Sequence, residues 1–151
     1  MHSSGFAAAL PGLLSAILAT GCAARYQQPE PSAPHAIVTF PSQAEQWGAS
    51  LFLEPVEFNG VSRPRDWMRD SFRVPPGELR LLVRAAREDR QGTCLLIFPV
   101  TPGESYAVHA ESGPDAFTIR AARDGRLIAN CDAPKTLLPT PLGSPPGTPP
   151  P

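Results

Sequence analysis

The cysteines at positions 22, 94 and 131 are the residues of this chain best suited to covalent chemistry. A thiolate can be acylated, can pair with a second thiol or can ligate a metal, and its surroundings decide which. Cys22 ends the uncharged run Phe6–Thr20 (FAAALPGLLSAILAT) and opens a polar stretch marked by prolines. A run of that length suits the apolar region of a secretory signal and is too short to span a bilayer. Ala19 and Gly21, three and one positions before Cys22, suit a peptidase pocket that admits only small side chains. The boundary predicts export, with residues 1–21 removed as a signal peptide. Cys94 and Cys131 then remain as an even pair in an oxidising compartment, where a disulfide is the expected fate. Such a bond would stabilise the fold by roughly 4 kcal/mol on the chain-entropy model. The alternative is two buried thiols that never meet.

The run Ala19-Thr20-Gly21-Cys22 resembles the lipobox of bacterial lipoproteins, with Ala where that family most often has Leu. The resemblance implies diacylglycerol on the Cys22 sulfur, cleavage before Cys22 and acylation of the new amine. In that family a residue other than Asp after the cysteine, here Ala23, implies the outer membrane. Each buried acyl CH₂ adds about 0.8 kcal/mol, and more than one chain gives a stable anchor. Before Cys22 the only basic groups are His2 and the α-amine. Ordinary cleavage after Gly21, leaving a soluble periplasmic protein, is the competing reading.

Other chemistry has weaker support. The chain after the signal holds only His35 and His109, with no His or Cys pair at ligand spacing, so no metal and no cofactor are expected. His109 and Glu111 share one strand face and could join a third ligand, but a solvated strand face is the favoured reading. No Ser sits in a Gly-x-Ser-x-Gly elbow, and Ser105 and Ser112 are near His109 without a motif. Glu54, Glu57, Asp66 and Asp70 could pair for glycoside cleavage, but fourteen acidic residues make such pairs expected by chance. No catalytic residue is expected. Trp47 and Trp67 are candidates for stacking on sugar rings, or are plugs over one end of a β-fold. Arg80, Arg84, Arg120 and Arg126 could form a basic stripe toward anionic headgroups or cell-wall polymers. The opposing reading is a salt-bridged face with Glu78, Glu88 and Asp89. A net charge of −1 gives no general case for nucleic acid.

The elements that must hold these residues are short. Proline crowding makes residues 23–34 read as a tether from the lipidated Cys22 and residues 134–151 as a disordered, partly polyproline-II tail. Between them, residues 35–133 are the one segment able to build a core. Ala36–Phe40, Ala49–Phe58, Ser71–Val74, Thr93–Val100 and Tyr106–Ala110 read as strands separated by turn pairs such as Asn59-Gly60 and Pro102-Gly103. Ser42 and Glu45 can cap a single helical turn. Leu79–Arg87 fits a helix stripe or a strand, and the flanking turns favour the strand. Thr93–Val100 is apolar on both faces, the pattern of a central strand. In the last hairpin, a type I turn on Arg123-Asp124 with Gly125 as a bulge puts Phe117, Ile119, Ala121, Leu127, Ala129 and Cys131 on one face. The expected fold is all-β, a single antiparallel β-sandwich of about seven short strands.

Phe72-Arg73-Val74-Pro75-Pro76-Gly77-Glu78-Leu79-Arg80-Leu81-Leu82-Val83 resembles the signature of PEGA-type domains, in which a strand, a Pro-Gly turn and an alternating strand form a hairpin. Phe98-Pro99-Val100-Thr101-Pro102-Gly103-Glu104-Ser105-Tyr106-Ala107-Val108 is similar to the pattern that follows it in small lipoproteins of transthyretin-like or PEGA-like shape. The resemblance implies an extracytoplasmic surface or scaffold module with no family catalytic residues. The functional expectation is a membrane-anchored, non-enzymatic envelope lipoprotein with a structural or binding role. Its partners would be the membrane through Cys22 and cell-wall polymer or envelope proteins. The alternative is a glycan or cell-wall-polymer module using Trp47, Trp67, Arg80 and Arg84.

Overall fold

The computed structural model describes residues 24–42, 45–46, 50–64 and 69–138. Within them the chain is almost wholly β. The strands are β1 (Ala36–Thr39), β2 (Phe52–Phe58), β3 (Val61–Ser62), β4 (Ser71–Val74), β5 (Gly77–Arg87), β6 (Arg90–Val100), β7 (Ser105–Ser112), β8 (Ala116–Arg123), β9 (Arg126–Pro134) and β10 (Thr136–Leu137). They form two five-stranded sheets, ordered β4-β1-β7-β8-β9 and β10-β6-β5-β2-β3. The inner faces meet in one core. Ring centroids of Phe58 (β2) and Phe72 (β4) lie 5.2 Å apart, and those of Phe98 (β6) and Tyr106 (β7) 5.5 Å apart.

Alternation decides the ambiguous segment. In β5, Leu79, Leu81, Val83 and Ala85 are buried while Arg80 is exposed and Leu82 and Arg84 are half-buried, a strand period throughout. Apolar residues on both faces predict a central β6, and β6 does lie between β5 and the two-residue β10, but its outer face is not covered. Beyond its ladder with β5, β6 pairs only at Arg90 and Gln91, with β10. Leu95 and Ile97 remain 39% and 43% exposed. The outward apolar side chains of this sheet match one another across the ladder, Leu82 opposite Leu95, instead of meeting a further layer.

The sheet is also not purely antiparallel. β1 pairs with β7 in parallel, Val38 beside Tyr106. That geometry follows from turns that cross between layers. β4 and β5 lie in different sheets, so Pro75 and Pro76 turn the chain from one to the other instead of closing a hairpin. Neither proline has an N–H to start a ladder at that point. The Pro102-Gly103 turn crosses back in the same way, from β6 to β7.

The last hairpin reaches the expected register by another route. Asp124 and Gly125 both have positive φ, 51° and 74°, forming a two-residue type I′ turn with Arg123 opposite Arg126. The bulge falls inside the strands: Ala122 faces Leu127, and Ala121 faces Ala129. Phe117, Ile119 and Ala121 are buried as predicted, and Ile128, Ala129 and Cys131 pack against the core. Leu127 lies before the slip and points out, 57% exposed, which corrects its assignment to the inner face.

The folded unit is longer than residues 35–133. Tyr26, expected in the tether, is only 9% exposed and stacks on Phe58 with ring centroids 4.5 Å apart. Its N–H donates to the Ser62 carbonyl (2.7 Å) and its hydroxyl to the Arg73 carbonyl (2.9 Å). The Arg73 N–H donates to Gln28 Oε1 (2.8 Å) and its Nε–H to the Pro29 carbonyl (2.8 Å). Prolines removed ladder bonds from this segment but left its side chains free to anchor it. It bridges β3 and β4, the neighbouring edges of the two sheets. At the other end Lys135 donates its N–H to Asp115 O (3.0 Å) and sets its ammonium 4.9 Å from the Phe117 ring centroid. Leu138 N–H then bonds Asp89 O at 2.7 Å. Residues 134–138 are therefore part of the fold and not of a tail. The signal segment, Cys22, Trp47, Trp67 and the proline-rich residues 139–151 lie outside the described residues.

On the opposite side the edge strand β9 is joined covalently to β6, the neighbour of the short edge strand β10. Cys94 of β6 and Cys131 of β9 form a disulfide with Cα atoms 6.1 Å apart. Beside it, β9 crosses so close to β6 that a Cβ on Gly92 would stand 2.7 Å from Ala133 O and 2.8 Å from Pro134 O. Only glycine admits that approach.

Candidate functional site

Ser42 and Glu45 form the predicted capping box. The Ser42 N–H and hydroxyl both donate to the Glu45 carboxylate (2.7 and 2.8 Å), and Glu45 N–H donates to the Ser42 hydroxyl (3.3 Å). These bonds, side chain first and backbone second, hold the Glu45 carboxyl below the usual carboxylate range, with a smaller contribution from His109. The turn delivers Gln46 into the protein. Gln46 Nε2 donates to Pro41 O (2.6 Å) and its Oε1 accepts the Leu53 N–H (2.7 Å), tying the loop to β2.

Gln46 sits between two cavities. The larger, about 510 Å³, has an apolar floor that includes Phe40, Phe52, Leu53 and Leu138 and a polar wall of Glu54, Arg69, Asp70 and Arg84. The smaller, about 380 Å³, lies between the same loop and β7 and is lined in part by Glu45, Leu51 and His109. Apolar walls with a few converging polar groups are the usual make-up of a ligand site.

The polar wall of the larger groove is a product of strand register. Glu54 of β2 stands directly opposite Arg84 of β5. The Glu54 carboxylate, 17% exposed, is paired with both Arg84 and Arg63, one oxygen to each. A carboxylate held between two guanidinium groups is fixed in position, and it fixes the direction of Arg84.

The sequence candidates are thus separated. Arg84 lines the groove. Arg80 lies farther along β5, exposed and 3.9 Å from Glu78, where its backbone N–H bonds Asn59 Oδ1. Arg120 and Arg126 belong to the other sheet, and Arg120 pairs with Glu111 at 2.6 Å. The four arginines do not form one stripe, because the two sheets turn their outer faces in opposite directions. The Glu111 that was paired with His109 as a candidate ligand is engaged by Arg120. Among the described residues no group of three or more His, Cys, Asp or Glu is placed to hold a metal ion. Among them, too, no helix is long and apolar enough to cross a membrane.

Sequence reasoning missed Gln46, Phe52, Glu54 and Leu138 as groove residues. The one available signal was the capping box, which places Gln46 at a loop turn facing inward. Glu54 required the pairing of β2 with β5 across about thirty residues of chain. No family model, curated protein or solved structure matches this chain.

Proposed function

We propose that this chain is an exported lipoprotein of the cell envelope, a β-sandwich held to a membrane through acylated Cys22, and that it binds without catalysing. The observation that carries the reading is the apolar run ending in Ala19-Thr20-Gly21-Cys22. Two structural features support it. The disulfide joining β6 to β9 suits an oxidising compartment. The part-buried carboxylate of the larger groove is paired with two arginines, which hold the polar wall of the groove in place for a ligand. Cys22→Ala should shift the protein from the membrane fraction to the soluble one while urea stability stays unchanged. A wild-type protein already soluble after cell breakage would defeat the proposal.

A second reading, a glycan or cell-wall-polymer module, is favoured by one placement. Gln46 and Arg69 line the larger groove, and they adjoin Trp47 and follow Trp67 by two residues in the chain. Binding to purified cell wall, lost in Trp67→Ala and Arg84→Ala with the fold retained, supports this reading. Binding unaffected by both rejects it.

A further inference from the structure

The anchoring residue proposed above and a described residue that is bonded into a sheet are close together in the chain. Only Ala23 and Ala24 separate Cys22 from Arg25, and Arg25 forms a parallel bridge with Ser62 of β3. Tyr26 follows at once, buried against Phe58 and bonded to both sheet edges. Three Cα–Cα steps span at most about 11 Å, however the chain between them is arranged. An acylated Cys22 has its acyl chains in the hydrocarbon, below a headgroup layer of roughly 5–8 Å on each side of a bilayer. Crossing that layer consumes most of the available reach.

We infer that the β3–β4 edge of the fold, entered at Arg25, rests directly on the headgroups of the bilayer that holds the lipid, and is not carried away from it on a tether. This rests on the lipid anchor proposed above. The occupant of this surface is phospholipid, argued from the length of chain between the anchor and the bridge. The residues brought to headgroup level are Arg25, Ser62 and the Asn59-Gly60 turn, all exposed. The Arg25 guanidinium stands where lipid phosphates attract it. The far edge strand β9, disulfide-linked to β6, faces away, roughly four strand spacings or about 19 Å from β4. The larger groove opens between these edges, along β2 and β5, and stays reachable from the aqueous side.

The test uses full-length protein purified from membranes and placed in vesicles of phosphatidylethanolamine and phosphatidylglycerol. An environment-sensitive fluorophore is attached through Ser62→Cys in one preparation and Asn130→Cys, on β9, in another. A lipid with a spin label on its headgroup acts as a short-range quencher. The inference predicts at least threefold stronger quenching at position 62 than at 130. It further predicts a ratio near one after a 20-residue Gly-Ser insert between Ala23 and Ala24. Equal quenching at both positions in the uninserted protein, with acylation verified by mass, overturns the inference and leaves the anchor standing. An unmodified Cys22 in the same preparation overturns the anchor and this inference together, so the two failures are distinguishable.

Discussion

Replacing Tyr26 by Ala should destabilise the domain by about 3–4 kcal/mol, a large share of the stability of a fold this size. The magnitude follows from what the side chain touches. Its ring is stacked on Phe58 and nearly excluded from water, and truncation of a buried aromatic ring costs about 3–5 kcal/mol when the site cannot collapse. The edge position lets neighbours relax, which puts the figure in the lower half. Tyr26→Phe keeps the stacking and removes only the 2.9 Å bond to Arg73 O, and should cost about 1 kcal/mol. The two variants can be compared by urea denaturation followed by circular dichroism, with the slope expected to be unchanged. pH gives an independent arm. Burial pushes the Tyr26 hydroxyl up to about 12 from its ordinary value of 10.0. The folded state therefore favours the protonated phenol, so its contribution is complete below pH 10 and is lost as pH rises toward 12. Tyr26→Phe should lack that part of the alkaline decline. A Tyr26→Ala protein within about 0.5 kcal/mol of wild type, below the usual cost of a core truncation, would show that the fold does begin near residue 35.

Three further outcomes follow from the same contacts. Cys94→Ser with Cys131→Ser should lower stability by about 4 kcal/mol, the chain-entropy value for a loop of this length, and reductant should do the same to wild type alone. Gly92→Ala should cost about 1–3 kcal/mol and lower the melting temperature, since backbone oxygens of β9 occupy the place of the new methyl. The Glu45 carboxylate supports its turn when ionised, so that support is present above the ordinary carboxylate pKa and is lost as pH falls through the lowered value. Protection of the Gln46 amide, taken relative to its intrinsic exchange rate at each pH, should fall over that acid range in wild type, and Glu45→Gln should remove the pH dependence.

Local signals carried most of the strand assignment. The alternation in β5 and β8, the Asn59-Gly60 turn and the Ser42–Glu45 box each act within a few residues, and the fold obeys them. The last hairpin, predicted to turn on Arg123-Asp124, turns on Asp124-Gly125 instead. The misreadings came from contacts between distant parts of the chain. Nothing near Tyr26 shows that Phe58 and Arg73 will meet it, so a proline-marked segment read as a tether. Leu95 and Ile97 read as buried because their pattern cannot tell cover by another layer from contact with Leu82 on the same outward face. Pro75 and Pro76 mark a turn but not whether it closes a hairpin or crosses between sheets. The groove is the least legible part: Glu54 and Arg84 become neighbours only once β2 and β5 are in register.

The central claim is that this domain is fixed to a membrane at Cys22, and intact-mass analysis of the native protein tests it most directly. Protein isolated from the membrane fraction should begin at Cys22 and carry the added mass of a diacylglyceryl group and an amide-linked acyl chain. A protein that retains Met1, or that begins elsewhere with an unmodified Cys22, would contradict the account.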